Sequence, residues 1–503
     1  MESLLYLPAW FAVGLAMVIP LVLAAHRTRA LGSSLWLLSS AGCLCAALAL
    51  DELPQILLLH SAAFWFGYVG SADASTPARE NVRWVVMLVL ADLLAVAGLA
   101  LLSNTFPSLP LSQIQAEGWW AAWQSHQPAT VNSIATLLLT MFVVRLGLYP
   151  CMGWQRGVAW SSPAAMWWVG GLMPVSLLLL FQLRDLLLAT PEARLLMVGV
   201  GTLSLILLSL IAWFQTDASA EDAEPASLPT GIAFRRRLLA LVSAWCGMLW
   251  VGMIAGVAPN PYLLGMTVAG LCLGSVCVLR SVELQSPPGW MVIVAALSHA
   301  LLLPGALAAT QAANQAVKLP AIAGRLEPLM ILGQLLSWLA LLFLLRSIRP
   351  RDVRTQRLYI GTLLVGLLGA GMAIGLMPQL QLSDTNWWAA ALPVVALAFV
   401  LLDGRRQTEA VEEHSLNRLA NYEFYVNSFV DQAIAYPLWC LQLVVSYLTQ
   451  LLFVDLPFVL ARTLWITAQR TVEEMDEPAA RTLHWEIVLF TCGVLIAAAW
   501  VSL

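Results

Sequence analysis

The stretch VVRLGLYPCMGWQRGVAWSSPAAMWW, Val143 to Trp168, begins inside an apolar run, sets an arginine at its third position, and breaks through Pro, Gly and Trp before turning apolar again. An arginine or aspartate at the centre of a membrane helix costs about 2.5–3.5 kcal/mol on insertion scales. Arg145 therefore needs a partner or a task. A guanidinium stays protonated at any accessible pH, so Arg145 can anchor or bias a site but cannot load and release a proton as a buried lysine can.

The sequence around this stretch explains why a membrane is the relevant solvent. Of 503 residues, 60% are hydrophobic and only 11% are charged, with a mean hydropathy of +0.80. Those values lie outside the usage of soluble domains. Apolar runs long enough to cross a hydrocarbon core of roughly 30 Å recur near 8–25, 31–50, 53–70, 84–103, 131–149, 164–183, 195–214, 237–256, 261–281, 289–309, 327–346, 358–377, 387–403, 433–454 and 485–503. The alternation that marks membrane barrel strands is missing, which leaves helices as the spanning element. The expectation is an all-α polytopic membrane protein of about 14–15 transmembrane helices. The first run has no basic residue before it and no cleavage pattern leading to a polar mature domain, so it reads as a retained helix.

Basic residues set the orientation. With the N-terminus outside, the alternate inner loops receive Arg27, Arg29, Arg79, Arg83, Arg156, Arg235–Arg237, Arg280, Arg346, Arg349, Arg351, Arg354, Arg357, Arg405 and Arg406, whereas the outer loops receive only Arg184, Arg194, Lys318 and Arg325. The positive-inside rule then favours an outside N-terminus. The eight cysteines lie mostly within apolar spans, and Cys43 and Cys45 are too close for a CxxC pair. They read as small buried hydrophobes. No metal-ligand spacing, redox-cofactor motif, nucleotide loop, nucleophile arrangement or basic aromatic-interleaved patch is present. The reading is of no cofactor, no metal and no nucleic-acid partner, with any oxidoreductase activity belonging to partner subunits.

Two polar segments divide the chain. Gln215 to Arg237, acidic in the middle and basic at its end, reads as a cytoplasmic insertion at about 215–236 of a bundle covering 1–403. Leu401 to Gln432 is a charged, helix-capable link. It opens a region, 404–484, in which Pro437, Asp455, Pro457, Arg462 and Arg470 make a poor spanning helix. Either a lateral amphipathic helix or a plain extra hairpin fits that region. A clean final span occupies 485–503.

Four ionisable residues fall inside spans: His60, Asp92, Arg145 and His299, with Arg184 and Asp185 at a helix end. Asp92 can pair with Arg145 on a neighbouring helix, as a structural ion pair or as part of a proton relay. His60 and His299 are either hydrogen-bonded interior histidines or titrating groups. Pro304 follows His299 by about one turn and can open its helix.

The opening stretch resembles the signature of the antiporter-like subunits of respiratory complex I, shared with Mrp-type sodium/proton antiporters. In that family a helix ends in a buried lysine, followed by a Pro-containing turn and a discontinuous helix. Here Arg145 falls at the lysine, Tyr149 to Trp154 with Pro150 at the turn, and Ser161 to Gly171 with Pro163 at the discontinuous helix. Asp51 to Ser61 is similar to the family helix ending in a glutamate. Phe214–Asp217 with Arg235–Trp245 is similar to a QTDxKR element split by the insertion. The segment NYEFYVNSFVDQAIAYPLW resembles the approach to the lateral helix of L-type subunits of NADH-quinone oxidoreductase. The resemblance implies an antiporter-like fold with discontinuous helices, other membrane subunits as partners, and a bacterial-type inner (cytoplasmic) membrane.

The departures from the family bear on function. The glutamate position falls at Ser61, the lysine at Arg145 and a histidine at about Val169. Tyr262 to Leu279 carries no ionisable residue, and Ala312 and Ala313 stand where the second broken helix should carry a lysine or glutamate. Moving protons along a membrane needs groups that can exchange them. The expectation is a structural or coupling subunit of a complex-I-like proton-translocating assembly whose usual path is impaired. The alternative is an ion-conducting transporter component, for bicarbonate uptake or cation/proton exchange, that uses His60, Asp92, Arg145 and His299.

Overall fold

The computed structural model describes residues 17–24, 31–72, 76–105, 127–184, 190–214, 230–253, 261–284, 287–303, 305–307, 323–347 and 391–398, with a few single positions besides. Pro304, Lys318, the insertion as far as 229, the span at 358–377 and, apart from Val459, Arg462 and Thr463, the regions 404–484 and 485–503 lie outside the described residues. The chain divides into two units, 1–431 and 432–503, and every element named below belongs to the first.

The described elements are all helical: α1 (Leu31–Ala49), α2 (Leu53–Ser71), α3 (Ala78–Thr105), α4 (Pro128–Arg145), α5 (Gln155–Trp160), α6 (Ser162–Trp167), a π turn (Trp168–Leu172), α7 (Met173–Gln182), α8 (Pro191–Phe214), α9 (Thr230–Gly252), α10 (Pro261–Glu283), α11 (Gly289–Ala300) and α12 (Ala323–Ser347). Among the described residues, seven stretches are long and apolar enough to cross a membrane, from Gly32–Ala49 to Leu326–Leu345. This is an all-α polytopic membrane protein. Helix α9 starts at Thr230, so the last part of the expected insertion is helical. Within this part, Arg235 Nε donates to Ala159 O near the end of α5 at 2.5 Å.

Why α4 ends at Arg145 is written in the next residues. Gly147 adopts φ +61°, a left-handed conformation that reverses the chain and suits glycine. Carbonyls at this stop accept from side chains beyond α4. Trp154 Nε1 donates to Val144 O at 2.8 Å, Ser243 Oγ of α9 to Leu146 O at 2.8 Å, and Gln155 Nε2 to Gly147 O at 3.2 Å and Ser243 Oγ at 2.6 Å. Ser204 Oγ of α8 accepts from Tyr149 N at 2.9 Å, beside the cis Tyr149–Pro150 bond. The turn is thereby fastened to α8 and α9. Those two helices approach closely where Gly201 meets Gly247, since a Cβ on Gly201 would lie 2.8 Å from Gly247 O.

The helix after the turn is the discontinuous element. Ser161 caps α6, accepting from Ala164 N at 3.3 Å while donating to Ser71 O at the end of α2, 2.6 Å away. Pro163 occupies the first turn of α6, where its missing N–H costs nothing. The discontinuity takes the form of a π turn rather than a gap. Pro174 cannot donate to Gly170 O and its ring crowds that carbonyl, so the ladder widens and Met173 N bonds back to Trp168 O. A second irregularity follows α11, where Leu301 and Leu302 bond three residues back. Gln334 of α12 reaches across to Ala306 O at 2.9 Å and Thr310 Oγ1 at 3.0 Å.

Gly147→Ala is expected to destabilise the protein by about 1–2 kcal/mol from the left-handed backbone alone. The steric cost comes on top, because the new Cβ would lie 2.5 Å from Gln155 Nε2 and 2.8 Å from Trp154 Cζ2. Gly199→Ala, at a helical position with nothing within 4 Å, serves as the control. Thermal unfolding in detergent checks this; equal midpoints for the two variants would remove the argument.

Candidate functional site

Arg145, at the last residue of α4, is buried at 1% exposure. Two elements, α2 and α3, converge on its guanidinium. Nη2 donates to Asp92 Oδ1 of α3 at 2.6 Å and to Ser61 Oγ of α2 at 2.9 Å, while Nη1 lies 2.6 Å from His60 Nδ1. The Phe64 ring, one turn along α2 from His60, has its centroid 5.3 Å from the guanidinium carbon, within range for a cation–π contact. The spacing on α2 is what permits this. His60 and Ser61 are adjacent, so one turn presents two acceptors side by side, and Phe64 follows at i+4.

Asp92 is held by three donors: Arg145 Nη2, the Ser61 hydroxyl, and Trp65 Nε1 at 2.5 Å. The guanidinium and carboxylate cancel in charge. Pairing of this kind is what makes a charge tolerable at membrane depth.

His60 occupies a fixed tautomer. Ser176 Oγ donates its one proton to Leu172 O at 2.6 Å, so it must accept from His60 Nε2, 2.7 Å away. Nδ1 then carries the lone pair, as it must to face a guanidinium that only donates. Both constraints assign a neutral imidazole with hydrogen on Nε2. Phe64 and Phe142 flank the ring, with centroids at 5.1 and 5.5 Å. His60 thus links Arg145 to Ser176, which sits just past the π turn.

His299 lies elsewhere. Its Nδ1 is 2.6 Å from Ala295 O; a carbonyl only accepts, so the hydrogen is on Nδ1. The ring packs on Trp245 of α9 at 5.0 Å and against Gly274 of α10. Among the described residues no contact joins it to Arg145. The structure therefore groups His60, Asp92 and Arg145 and leaves His299 apart. Of the signature residues, Pro150 and Trp154 build the turn that ends α4, and Pro163 starts the helix carrying Ser176; Pro304 is not described. Arg184 packs its guanidinium over Phe181 at 4.7 Å, at the end of α7. The sequence reading missed Trp65, Ser176 and Gln334 as polar ties, because single uncharged polar residues in apolar spans carry no signal of their partners. Among the described residues no group of histidines, cysteines and carboxylates could hold a metal ion.

No family model and no curated protein matches the sequence. Solved structures do match in fold. A chain in the structure of the Mrp complex from Dietzia sp. DQ12-45-1b aligns over 99% of this chain at a TM-score of 0.55 and 14% identity. This chain spans 55% of the length of that one. A chain of the membrane-bound sulfane sulfur reductase (MBS), an archaeal respiratory membrane complex, aligns over 98% of this chain and 88% of its own length, at a TM-score of 0.55 and 12% identity. The likeness is one of fold.

Removing the carboxylate alone by Asp92→Leu leaves a buried guanidinium uncompensated and is expected to cost about 3–5 kcal/mol, whereas Asp92→Leu with Arg145→Met recovers most of that. A double-mutant cycle on unfolding in detergent checks it, and simple additivity would mean that the pair is not coupled. Nitrogen-15 spectra of histidine-labelled protein at neutral pH should give opposite tautomers, hydrogen on Nε2 for His60 and on Nδ1 for His299. One shared tautomer, or an imidazolium at His60, would overturn the assignment.

Proposed function

We propose that the chain is a divergent antiporter-like subunit of a complex-I-like, proton-translocating membrane assembly, serving a structural or coupling role in place of the proton path usual to such subunits. The observation that carries this reading is the state of Arg145. A permanently charged group stands where the resemblance puts a titratable lysine, and its charge is already cancelled by Asp92 at 2.6 Å. His60, beside it, is engaged on both ring nitrogens. A group that must give up its proton in every cycle has to be free to change partners. This cluster instead joins α2, α3, α4 and α7 into one block.

The fold likeness to chains from two multi-subunit membrane complexes supports partners of the same kind. The loop arginines favour an N-terminus outside a bacterial-type inner membrane. The approach at Asn421 to Trp439 favours an L-type subunit with a lateral helix after it.

Purification from its native membrane should recover the chain in a hetero-oligomer, and Arg145→Ala should lower that recovery through loss of stability. In reconstituted vesicles the chain alone should pass protons no faster than protein-free vesicles. Robust proton conduction by the chain alone, lost in Arg145→Ala without loss of assembly, would replace this reading with that of a transporter.

A further inference from the structure

Asp92 is the exposed member of a buried cluster. Its side chain is 27% exposed while that of Arg145 is 0%. Depth makes this unusual. Asp92 sits at the middle of the apolar stretch Glu80–Ser103, about 17 Å of helix from either end at a rise of 1.5 Å per residue. The exposed side chains beside it are apolar: Val89 at 37%, Leu93 at 55% and Val96 at 62% on α3, and Leu58 at 69% on α2. Lipid tails suit those four residues but do not suit the edge of a carboxylate.

The hydrogen-bond inventory shows what is missing. A carboxylate offers about four acceptor sites. Arg145 and Ser61 fill two on Oδ1, and Trp65 fills one on Oδ2. The remaining acceptor, on Oδ2, has no donor among the described residues. A symmetric second copy is a poor occupant, since a two-fold axis through this face brings like patch to like patch, acceptor against acceptor. A spanning helix from another subunit is better suited, covering the apolar face and supplying the donor from one side chain.

We propose that the face formed by Val89, Asp92, Leu93 and Val96 of α3 with Leu58 of α2 is a docking surface for a membrane-spanning helix of a different subunit, which donates one hydrogen bond to Asp92 at mid-membrane. This rests on the reading of the chain as a subunit of a hetero-oligomer. The partner helix completes a polar site that the chain alone leaves open on one side.

The test places a photoreactive benzophenone amino acid at Leu93 or Val96 in the full chain, within the complex purified intact from its native membrane. The expected cross-link is to a spanning segment of another subunit, with a hydrogen-bond-donating side chain within one helical turn of the attachment point. Cross-links confined to lipid, to a second copy, or to other segments of this chain would overturn the proposal. As a second arm, Leu93→Trp should lower recovery of the complex about tenfold and leave the unfolding midpoint of the isolated chain unmoved. Unchanged recovery would count against the docking surface. A chain recovered alone from its native membrane would sink the subunit reading and this surface with it. An intact complex with lipid-only cross-links would sink this surface alone.

Discussion

A positive charge that cannot be shed sits inside the hydrocarbon, and the first half of the bundle is arranged around it. Burying a guanidinium without an opposite charge is costly, so α3 must present Asp92 at the height where α4 ends. The neutral acceptors come from α2, whose His60 and Ser61 share one turn. The stop after Arg145 is equally constrained, because Gly147 reverses the chain and the side chains of Gln155, Ser204 and Ser243 accept or donate where the helical ladder has ended. Loss of the charge pair would therefore be felt at the packing of α2, α3 and α4 together, not at one contact.

On the proposed reading this arrangement is a joint between helices and not a proton store. In a store, the charged group and its counterion must separate, or one must be neutralised, within the working cycle. Here the guanidinium is fixed, the carboxylate is bound by three donors, and the imidazole tautomer is dictated at both ends. His299 is tied on Nδ1 to its own helix at Ala295 O. Both rings are packed between helices, His60 by Phe64 and Phe142 and His299 by Trp245 and Gly274.

Much of this was legible in the sequence, for definable reasons. Hydrophobic runs set the helices, because lipid leaves the backbone no other way to close its hydrogen bonds. Arg145 and Asp92 stood out because charge is rare in such runs, and pairing was the cheapest account of both. Ser176, Trp65 and Gln334 did not stand out. A lone serine or glutamine in a span is common, and its role depends on which helix faces it, which periodicity cannot say. The boundary at Thr230 was missed for a related reason. Arg235 looked like part of a polar loop until the carbonyl it donates to, near the end of α5, was located. The sidedness of Asp92 was out of reach too, since burial is a property of the packed bundle.

The π turn at Trp168–Leu172 has a consequence for how this chain compares with others of its architecture. A π turn accommodates about one residue more than the α turn it replaces. Against a helix that is regular at this point, everything downstream, beginning with Met173 and Pro174, is offset by one position in chain number while keeping its place in space. Motifs before and after the turn can each superpose on such a chain in three dimensions, yet no single ungapped line of letters passes through both. Recognition by shape survives such a slip, and recognition by letter does not.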